Sequence, residues 1–188
     1  EIYKQIHYLG KLLGERGIDV VTGGGPGLME AASSGHTIGS KKTGAHSIGL
    51  NIRLPREQKT NKHLDIKEEF SRFTERLNTF TYLSDAVVVA QGGVGTMLEL
   101  LYTWQLVQVS YIRNIPIILL GKMWKGFYKW IKEQPLEKKY FSKKDFNFLY
   151  LARDCDDAIA IIEKNYKISK NKSSGKNKKY KYEIFVRK

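Results

Sequence analysis

The fold of this chain is decided by Asp85-Ala-Val-Val-Val-Ala-Gln-Gly-Gly-Val-Gly-Thr-Met-Leu-Glu99. The run up to Ala90 is apolar and β-branched, which is typical of a buried strand. After Gly95 the apolar residues return every three or four positions, which indicates a helix. The glycines therefore lie on a strand-to-helix turn.

This turn has the properties of a phosphate site. Glycines lack a Cβ, can take positive φ, and let backbone N–H groups approach an anion at the positive end of the following helix. A tight turn before a helix would explain the glycines equally well. The predicted phosphate ligands are Gly92, Gly93, Val94, Gly95 and Thr96. Glu99 would repel a phosphate bound beside it, so it is expected to face another part of the ligand.

A second glycine turn supports the phosphate interpretation. The predicted strand Ile18–Thr22 runs into Gly23-Gly-Gly-Pro-Gly-Leu-Met29, and a helix is predicted from Pro26 to Ser34. Two such units predict an α/β fold, a Rossmann-like doubly wound parallel sheet with helices on both faces and two ligand loops at one edge.

The whole chain sets limits on its class. Its 188 residues predict one folded domain over residues 1–163, followed by a Lys-rich extension over 164–188. It has no apolar run of about 18 residues and does not open with a secretory leader pattern. The single cysteine, Cys155, is compatible with a reducing cytoplasm, where we expect the protein to reside. The four histidines share no metal-ligand spacing, so we expect no metal and no cofactor.

The formal net charge of +13 is concentrated at the carboxyl end. Residues 164–188 carry a net +9, which leaves +4 for residues 1–163. Such Lys- and Asn-rich tails are usually solvated extensions, and we do not expect nucleic acid to be a partner.

Two features of the remaining chain affect its architecture. The chain opens with a predicted helix, whereas a doubly wound domain normally enters through a strand. Either such a strand precedes residue 1, or Tyr182–Arg187, which has strand composition, takes its place. A helix is also predicted from Lys67 to Tyr82, and on composition its Arg76 would be an ordinary surface arginine.

With both glycine turns in view, the sequence resembles the LOG (Lonely Guy) family, long described as lysine-decarboxylase-like. The family's Pro-Gly-Gly-x-Gly-Thr-x-x-Glu motif is matched from Gly92 to Glu99, with Arg76 on the preceding helix 23 residues earlier. The segment Gly23–Ala32 resembles the family's first glycine motif. The segment Ser47–Gln58, together with Asn61, resembles the family's bacterial branch.

The resemblance implies phosphoribohydrolase activity on a nucleoside 5′-monophosphate, such as a cytokinin riboside monophosphate or AMP-like nucleotide. It assigns catalytic roles to Arg76 and Glu99 and places Gly24, Gly25 and Met29 in the nucleotide pocket. The alternative is a nucleotide-binding or molybdenum-cofactor carrier protein of the same superfamily, without turnover. Gln91 replaces the family's proline, and Leu77 replaces a lysine expected at the edge of the site.

The resemblance also implies a homodimer, for which the sequence offers a physical reason. The helices after Lys67 and Thr96 carry apolar residues on more than one side, and one sheet can cover only one face of each. The residues expected to supply the interface are Phe70, Phe73, Phe80, Tyr82, Leu100, Leu101, Trp104, Leu106, Val107 and Val109.

Overall fold

The computed structural model describes residues 1–54 and 59–172, with the side chains described as far as residue 168. This part of the chain contains seven α-helices and six strands. In chain order these are α1 (Ile2–Glu15), β1 (Val20–Thr22), α2 (Leu28–Gly39), β2 (Ser47–Ile52), β3 (Ile66–Phe70), α3 (Phe73–Leu83), β4 (Val87–Val89), α4 (Val94–Gln108), β5 (Ile117–Leu120), α5 (Trp124–Ile131), α6 (Lys143–Phe146), β6 (Leu149–Ala152) and α7 (Cys155–Lys172). A 3₁₀ turn follows α2 at Ser40–Lys42, and a π turn follows α5 at Lys132–Leu136.

The strands form two parallel ladders, ordered β1-β2-β3 and β4-β5-β6. In the first ladder, Val21 pairs with Ile48 and Ile48 with Ile66. In the second, Val88 pairs with Ile118. The predicted α/β class with parallel strands is confirmed, and each predicted glycine loop follows the first strand of one ladder.

Alternation along β5 shows that helices cover both faces of the second ladder. Ile118 and Leu120 join a cluster with residues of α1, α2 and α7, whereas Ile117 and Leu119 join a cluster with residues of α4, α5 and α6. Successive strand residues point to opposite faces, so the four apolar residues of β5 serve two cores. Val20 of β1 and Val88 of β4 both pack against the first cluster, which connects the two ladders.

The predicted helix over Lys67–Tyr82 is wrong at its start. Ile66–Phe70 is a strand that pairs in register with Ile48–Ile52, and α3 begins only at Phe73. Ile66, Glu68 and Phe70 are partly buried, whereas Lys67 and Glu69 are exposed, which is the two-residue period of a strand. Pairing with β2 outweighs the helical spacing of the aromatic residues.

Two further predictions concern the ends of elements. The helix expected from Pro26 begins at Leu28 and continues to Gly39, with Gly27 as its N-cap. The strand proposed for Tyr182–Arg187 lies outside the described residues. The helix α7 extends to Lys172, past residue 164, where the extension is predicted to begin.

Candidate functional site

The first glycine loop connects β1 to α2 and needs glycine for its shape. Gly24 and Gly27 have φ of 72° and 73°, a region that side chains with a Cβ rarely adopt. A Cβ on Gly24 would also collide with the side-chain oxygen of Asn51 at the end of β2. The Gly24 N–H donates to Oγ1 of Thr22 at 3.1 Å. The close approach of β2 therefore leaves no room for another residue at position 24.

Asn61 anchors this loop from the other side. Its backbone N–H donates to the carbonyl of Gly24 at 2.8 Å, and its Nδ2 donates to the carbonyl of Gly25 at 3.1 Å. Asn61 is only 5% exposed, so these bonds are shielded from water. No local sequence pattern predicts this role for Asn61, whose only signal is its place in a segment that resembles the family.

The backbone of the second glycine loop does not take the positive φ values that glycine allows. Gly92, Gly93 and Gly95 are not among the described glycines with positive φ. Gly92 is required for another reason, since a Cβ there would collide with the side chain of Thr96. A Cβ on Gly93 or Gly95 would meet no protein atom within 4 Å.

This second loop is therefore open to a ligand. Gly93 is the N-cap of α4, and Val94 beside it is 85% exposed. The first N–H groups of a helix lack partners within the helix, and here they lie beside solvent-exposed glycines. An anion approaching from solvent would meet backbone N–H groups and the positive end of α4 without a side chain in the way.

Arg76 and Glu99 form an ion pair one turn into α4. Nη1 of Arg76 lies 3.0 Å from Oε1 of Glu99, and the two side chains are 11% and 36% exposed. Nε of Arg76 donates to the carbonyl of Leu50 at 2.7 Å, and the guanidinium stacks over the ring of Phe80, 5.0 Å from its centre. Arg76 is therefore not the surface arginine that composition suggests.

The first glycine loop also contacts this pair through Arg76. A Cβ on Gly23 would lie 2.6 Å from Nη2 of Arg76 and 2.7 Å from Sδ of Met29. Because Gly23 has no side chain, the guanidinium and the thioether can both approach the loop. The structure thus brings together Gly23, Met29, Arg76 and Glu99, with Gly24 and Gly25 continuing the first loop.

The environment of Glu99 changes its acidity. Burial raises the pKa of the carboxyl above its ordinary value of 4.5, and the charge and hydrogen bond of Arg76 oppose that rise. Burial disfavours the carboxylate, while a neighbouring cation favours it. Removing the guanidinium would therefore raise the pKa of Glu99 further.

The two positions that depart from the family motif have structural explanations. Leu77 is 5% exposed and lies in the interior, so this position does not supply the edge of the site as expected. The side chain of Gln91 packs against Gly121, whose φ of 121° few other residues would adopt. Gln91 thereby connects the second glycine loop to the turn after β5.

Other ligand types have less support in the described residues. Residues 1–54 and 59–172 contain no group of three or more His, Cys, Asp and Glu side chains that could hold a metal ion. Two open cavities of about 510 and 770 Å³ are lined by residues from Tyr128 onward, away from Arg76 and Glu99. No helix in the described part of the chain is long and apolar enough to cross a membrane.

Most of the chain matches a known protein family. Residues 29–162 match the Lysine_decarbox family, described as "Possible lysine decarboxylase". This region includes Arg76, the second glycine loop and Glu99. The chain belongs to the Lysine_decarbox/LOG family.

Proteins similar in sequence to this chain include two named enzymes. The cytokinin riboside 5′-monophosphate phosphoribohydrolase LOG of Oryza sativa subsp. japonica is 37% identical over 123 residues, which are 64% of this chain and 48% of the rice protein. The pyrimidine/purine nucleotide 5′-monophosphate nucleosidase of Escherichia coli K12 is 27% identical over 129 residues, which are 63% of this chain and 28% of that protein. The chain thus spans about half or less of the length of these two relatives.

A solved structure supports the fold of this Lysine_decarbox/LOG chain. The molybdenum cofactor binding protein from Rippkaea orientalis superposes with a TM-score of 0.61 at 24% identity, covering 87% of this chain and 86% of that one. At this identity the likeness concerns the fold, and the Rossmann-like assignment follows from it.

Proposed function

We propose that this protein hydrolyses the N-glycosidic bond of a nucleoside 5′-monophosphate and releases the free base and ribose 5-phosphate. The observation that carries the proposal is the ion pair of Arg76 and Glu99, 3.0 Å apart and one turn beyond an open phosphate loop. Binding a phosphate requires neither a carboxylate nor its arginine partner. Cleaving a glycosidic bond requires negative charge beside C1′ and a group that handles a proton.

The phosphate would bind at the start of α4. The N–H groups around Gly93, Val94 and Gly95 are unobstructed, and the hydroxyl of Thr96 lies in the same turn. Binding there leaves the sugar to extend along the helix toward Glu99. Gly24, Gly25 and Met29 would contact the nucleotide from the first loop.

Glu99 would then act on the ribose and on water. The C1′–N bond breaks with its electron pair moving to the base, and the positive charge that develops on the sugar is stabilised by the carboxylate. The oxygen of water bonds to C1′, Glu99 accepts one water proton, and that proton passes on through solvent to the leaving nitrogen, so the reaction consumes one water and Glu99 returns to its carboxylate form. Arg76 would hold the carboxylate in place through a charge-assisted hydrogen bond.

The direct experiment is product analysis with a panel of nucleoside 5′-monophosphates. AMP, GMP, CMP, UMP and an N6-modified AMP would each be incubated with the full chain, and free base and ribose 5-phosphate would be measured. We expect the wild type to release both products in equal amounts, and we expect Glu99→Gln to lose this activity. The related names from rice and E. coli make purine and pyrimidine monophosphates the appropriate panel.

A second candidate is binding of a nucleotide or of the molybdenum cofactor without turnover. The exposure of Val94, at 85%, and of the Glu99 side chain, at 36%, leaves the site of a single chain open to water. Catalytic sites usually exclude water when they close around a substrate. Saturable binding of a monophosphate with no release of base from any member of the panel would favour this carrier function.

A further inference from the structure

Positive charge in the folded part of the chain is concentrated in one short region. Residues 122–144 carry eight lysines and two glutamates, a net +6, whereas the rest of residues 1–163 carries 14 basic and 16 acidic residues, a net −2. All eight lysines are exposed. We refer to them as the basic surface: Lys122, Lys125, Lys129, Lys132, Lys138, Lys139, Lys143 and Lys144.

The fold gathers part of this surface around one open cavity. Lys132, Lys139 and Lys143 line a space of about 770 Å³ together with one carboxylate, Glu137, and the apolar side chains of Leu136 and Phe141. Among the described residues, Lys129 pairs with Glu133 at 3.7 Å with both side chains exposed, and Nζ of Lys132 lies over the rings of Tyr128 and Phe146, 4.9 and 5.7 Å from their centres. Exposed pairs of this kind contribute little energy, so the surface keeps its positive potential.

Two exposed aromatic rings lie in the same stretch of sequence as these lysines. Trp130 is 54% and Tyr140 77% exposed. The ring of Trp130 lies 6.4 Å from that of Phe127, which supports it from within the same helix. Lysines that contact phosphates, next to exposed rings on which bases stack, are the combination that binds single-stranded nucleic acid.

A membrane surface fits this region less well. An interfacial helix needs a free apolar face to enter the lipid. The apolar face of α5 is already buried, with Trp124 fully inaccessible and Ile131 4% exposed in the core beside β5. The exposed side chains of α5 are those of Lys125, Lys129 and Trp130, while Phe127 and Tyr128 are partly buried.

We propose that the basic surface binds single-stranded nucleic acid, with backbone phosphates beside Lys132, Lys139 and Lys143 and bases stacked on Trp130 and Tyr140. This surface lies outside the basic tail, on which the expectation against nucleic acid rested. The proposal does not depend on the proposed hydrolase activity.

The test is fluorescence anisotropy of a labelled oligo-dT of about 20 nucleotides, titrated with the full chain from about 50 to 300 mM salt. In the variant with Lys132, Lys139 and Lys143 changed to Gln, affinity at low salt should fall at least about tenfold. The slope of log K against log salt should become shallower by about 2, since each lost phosphate contact contributes about 0.7.

A charge-matched control separates a specific surface from net charge. Lys4, Lys41 and Lys42 are exposed and lie on α1 and the 3₁₀ turn, outside the layer that carries the basic surface. Changing these three to Gln removes the same charge and should alter affinity by less than about threefold. Equal weakening by both triple variants would assign binding to overall charge or to the tail and overturn the proposal.

Trp130→Ala tests the stacking contribution and the nature of the strand. It should weaken oligo-dT binding at least about fivefold, because stacking on an aromatic ring contributes about 1–3 kcal/mol per base. Unchanged binding in Trp130→Ala, or equal affinity for a duplex, would overturn the single-strand assignment. Lysine-dependent binding to phosphatidylserine vesicles without binding to oligo-dT would identify a membrane instead, and thermal melts would confirm that each variant is folded.

Discussion

Nη1 of Arg76 lies 3.0 Å from Oε1 of Glu99, and the pair joins the two halves of the molecule. Arg76 belongs to α3, which follows the first ladder, and its Nε is bonded to Leu50 of β2. Glu99 belongs to α4, which follows β4 of the second ladder. The proposed reaction therefore depends on a contact between two helices that follow different ladders.

Changing Glu99 to Gln should abolish most of the turnover while preserving the fold. The amide keeps the shape of the side chain but cannot accept a proton or stabilise a cationic sugar as a carboxylate does. We expect at least about a 100-fold loss in kcat, the scale of a missing acid or base, with nucleotide affinity largely retained. Wild-type rates in this variant, measured by base release, would refute the assigned role.

The pH dependence of kcat/KM should show an acidic limb governed by Glu99. Burial raises its pKa above 4.5, and the base form is the carboxylate, so activity should fall as pH drops through that raised pKa. Arg76→Met removes the charge that opposes the rise, so the acidic limb should move to higher pH. If the acidic limb of the pH profile lies at the same pH in Arg76→Met as in the wild type, Arg76 does not control the pKa of Glu99. Tm values would identify any loss of folding in the variant.

Phosphate should be the main binding group of the substrate. Nucleoside 5′-monophosphates should be cleaved efficiently and the matching nucleosides barely, because the start of α4 offers its N–H groups to an anion. Comparable kcat/KM for AMP and adenosine would remove the role given to Gly92, Gly93, Val94, Gly95 and Thr96.

Two glycine variants separate ligand contact from folding in the same loop. Gly93→Ala adds a methyl group in open space, so Tm should be unchanged while KM for a monophosphate rises. Gly92→Ala should lower Tm, because its Cβ would collide with Thr96. An unaffected KM in Gly93→Ala would indicate that the phosphate does not approach this backbone.

Asn61→Ala should loosen the first glycine loop. The change leaves the carbonyl of Gly25 without its side-chain donor in a shielded place, which costs about 1–3 kcal/mol of unfolding free energy. We expect KM to rise more than kcat falls. Asn147, which is exposed, provides the matched control, and its change to Ala should alter stability by less than about 0.5 kcal/mol.

The homodimer remains a prediction, and the structure changes which residues should test it. Trp104 and Val107 are 8% and 1% exposed and lie in the core of a single chain, so they are poor probes of an interface. The outer side of α4 exposes Val94, Met97, Leu98, Leu101 and Val109 instead.

Leu101→Lys should therefore dissociate the dimer. Light scattering of the wild type should give about twice 21.6 kDa, and the variant should approach 21.6 kDa, because a twofold interface would bury the charge twice. Ile38→Lys is the matched control, since Ile38 is 48% and Leu101 49% exposed. A monomeric wild type would refute the dimer, and dissociation by both variants would refute the proposed face.

The local pattern of the sequence was enough to predict both glycine turns and the α/β class. Strands with a two-residue period and helices with a 3.6-residue period leave their marks in short windows, and glycines mark the turns between them. The family motif added the roles proposed for Arg76 and Glu99, and the tertiary structure places those two side chains in contact.

Only the tertiary structure decided which partners each segment meets. The local pattern of Lys67–Phe70 predicts a helix, but the segment is a strand because it pairs with β2. Trp104 is predicted to lie in a dimer interface, but it is buried within one chain against residues of α5 and α6. Asn61 anchors the first glycine loop because it donates hydrogen bonds to two carbonyls of that loop. These carbonyls belong to residues 36 and 37 positions earlier in the sequence. Such contacts form between residues distant in the chain, and their energies depend on packing and burial that no short window of sequence contains.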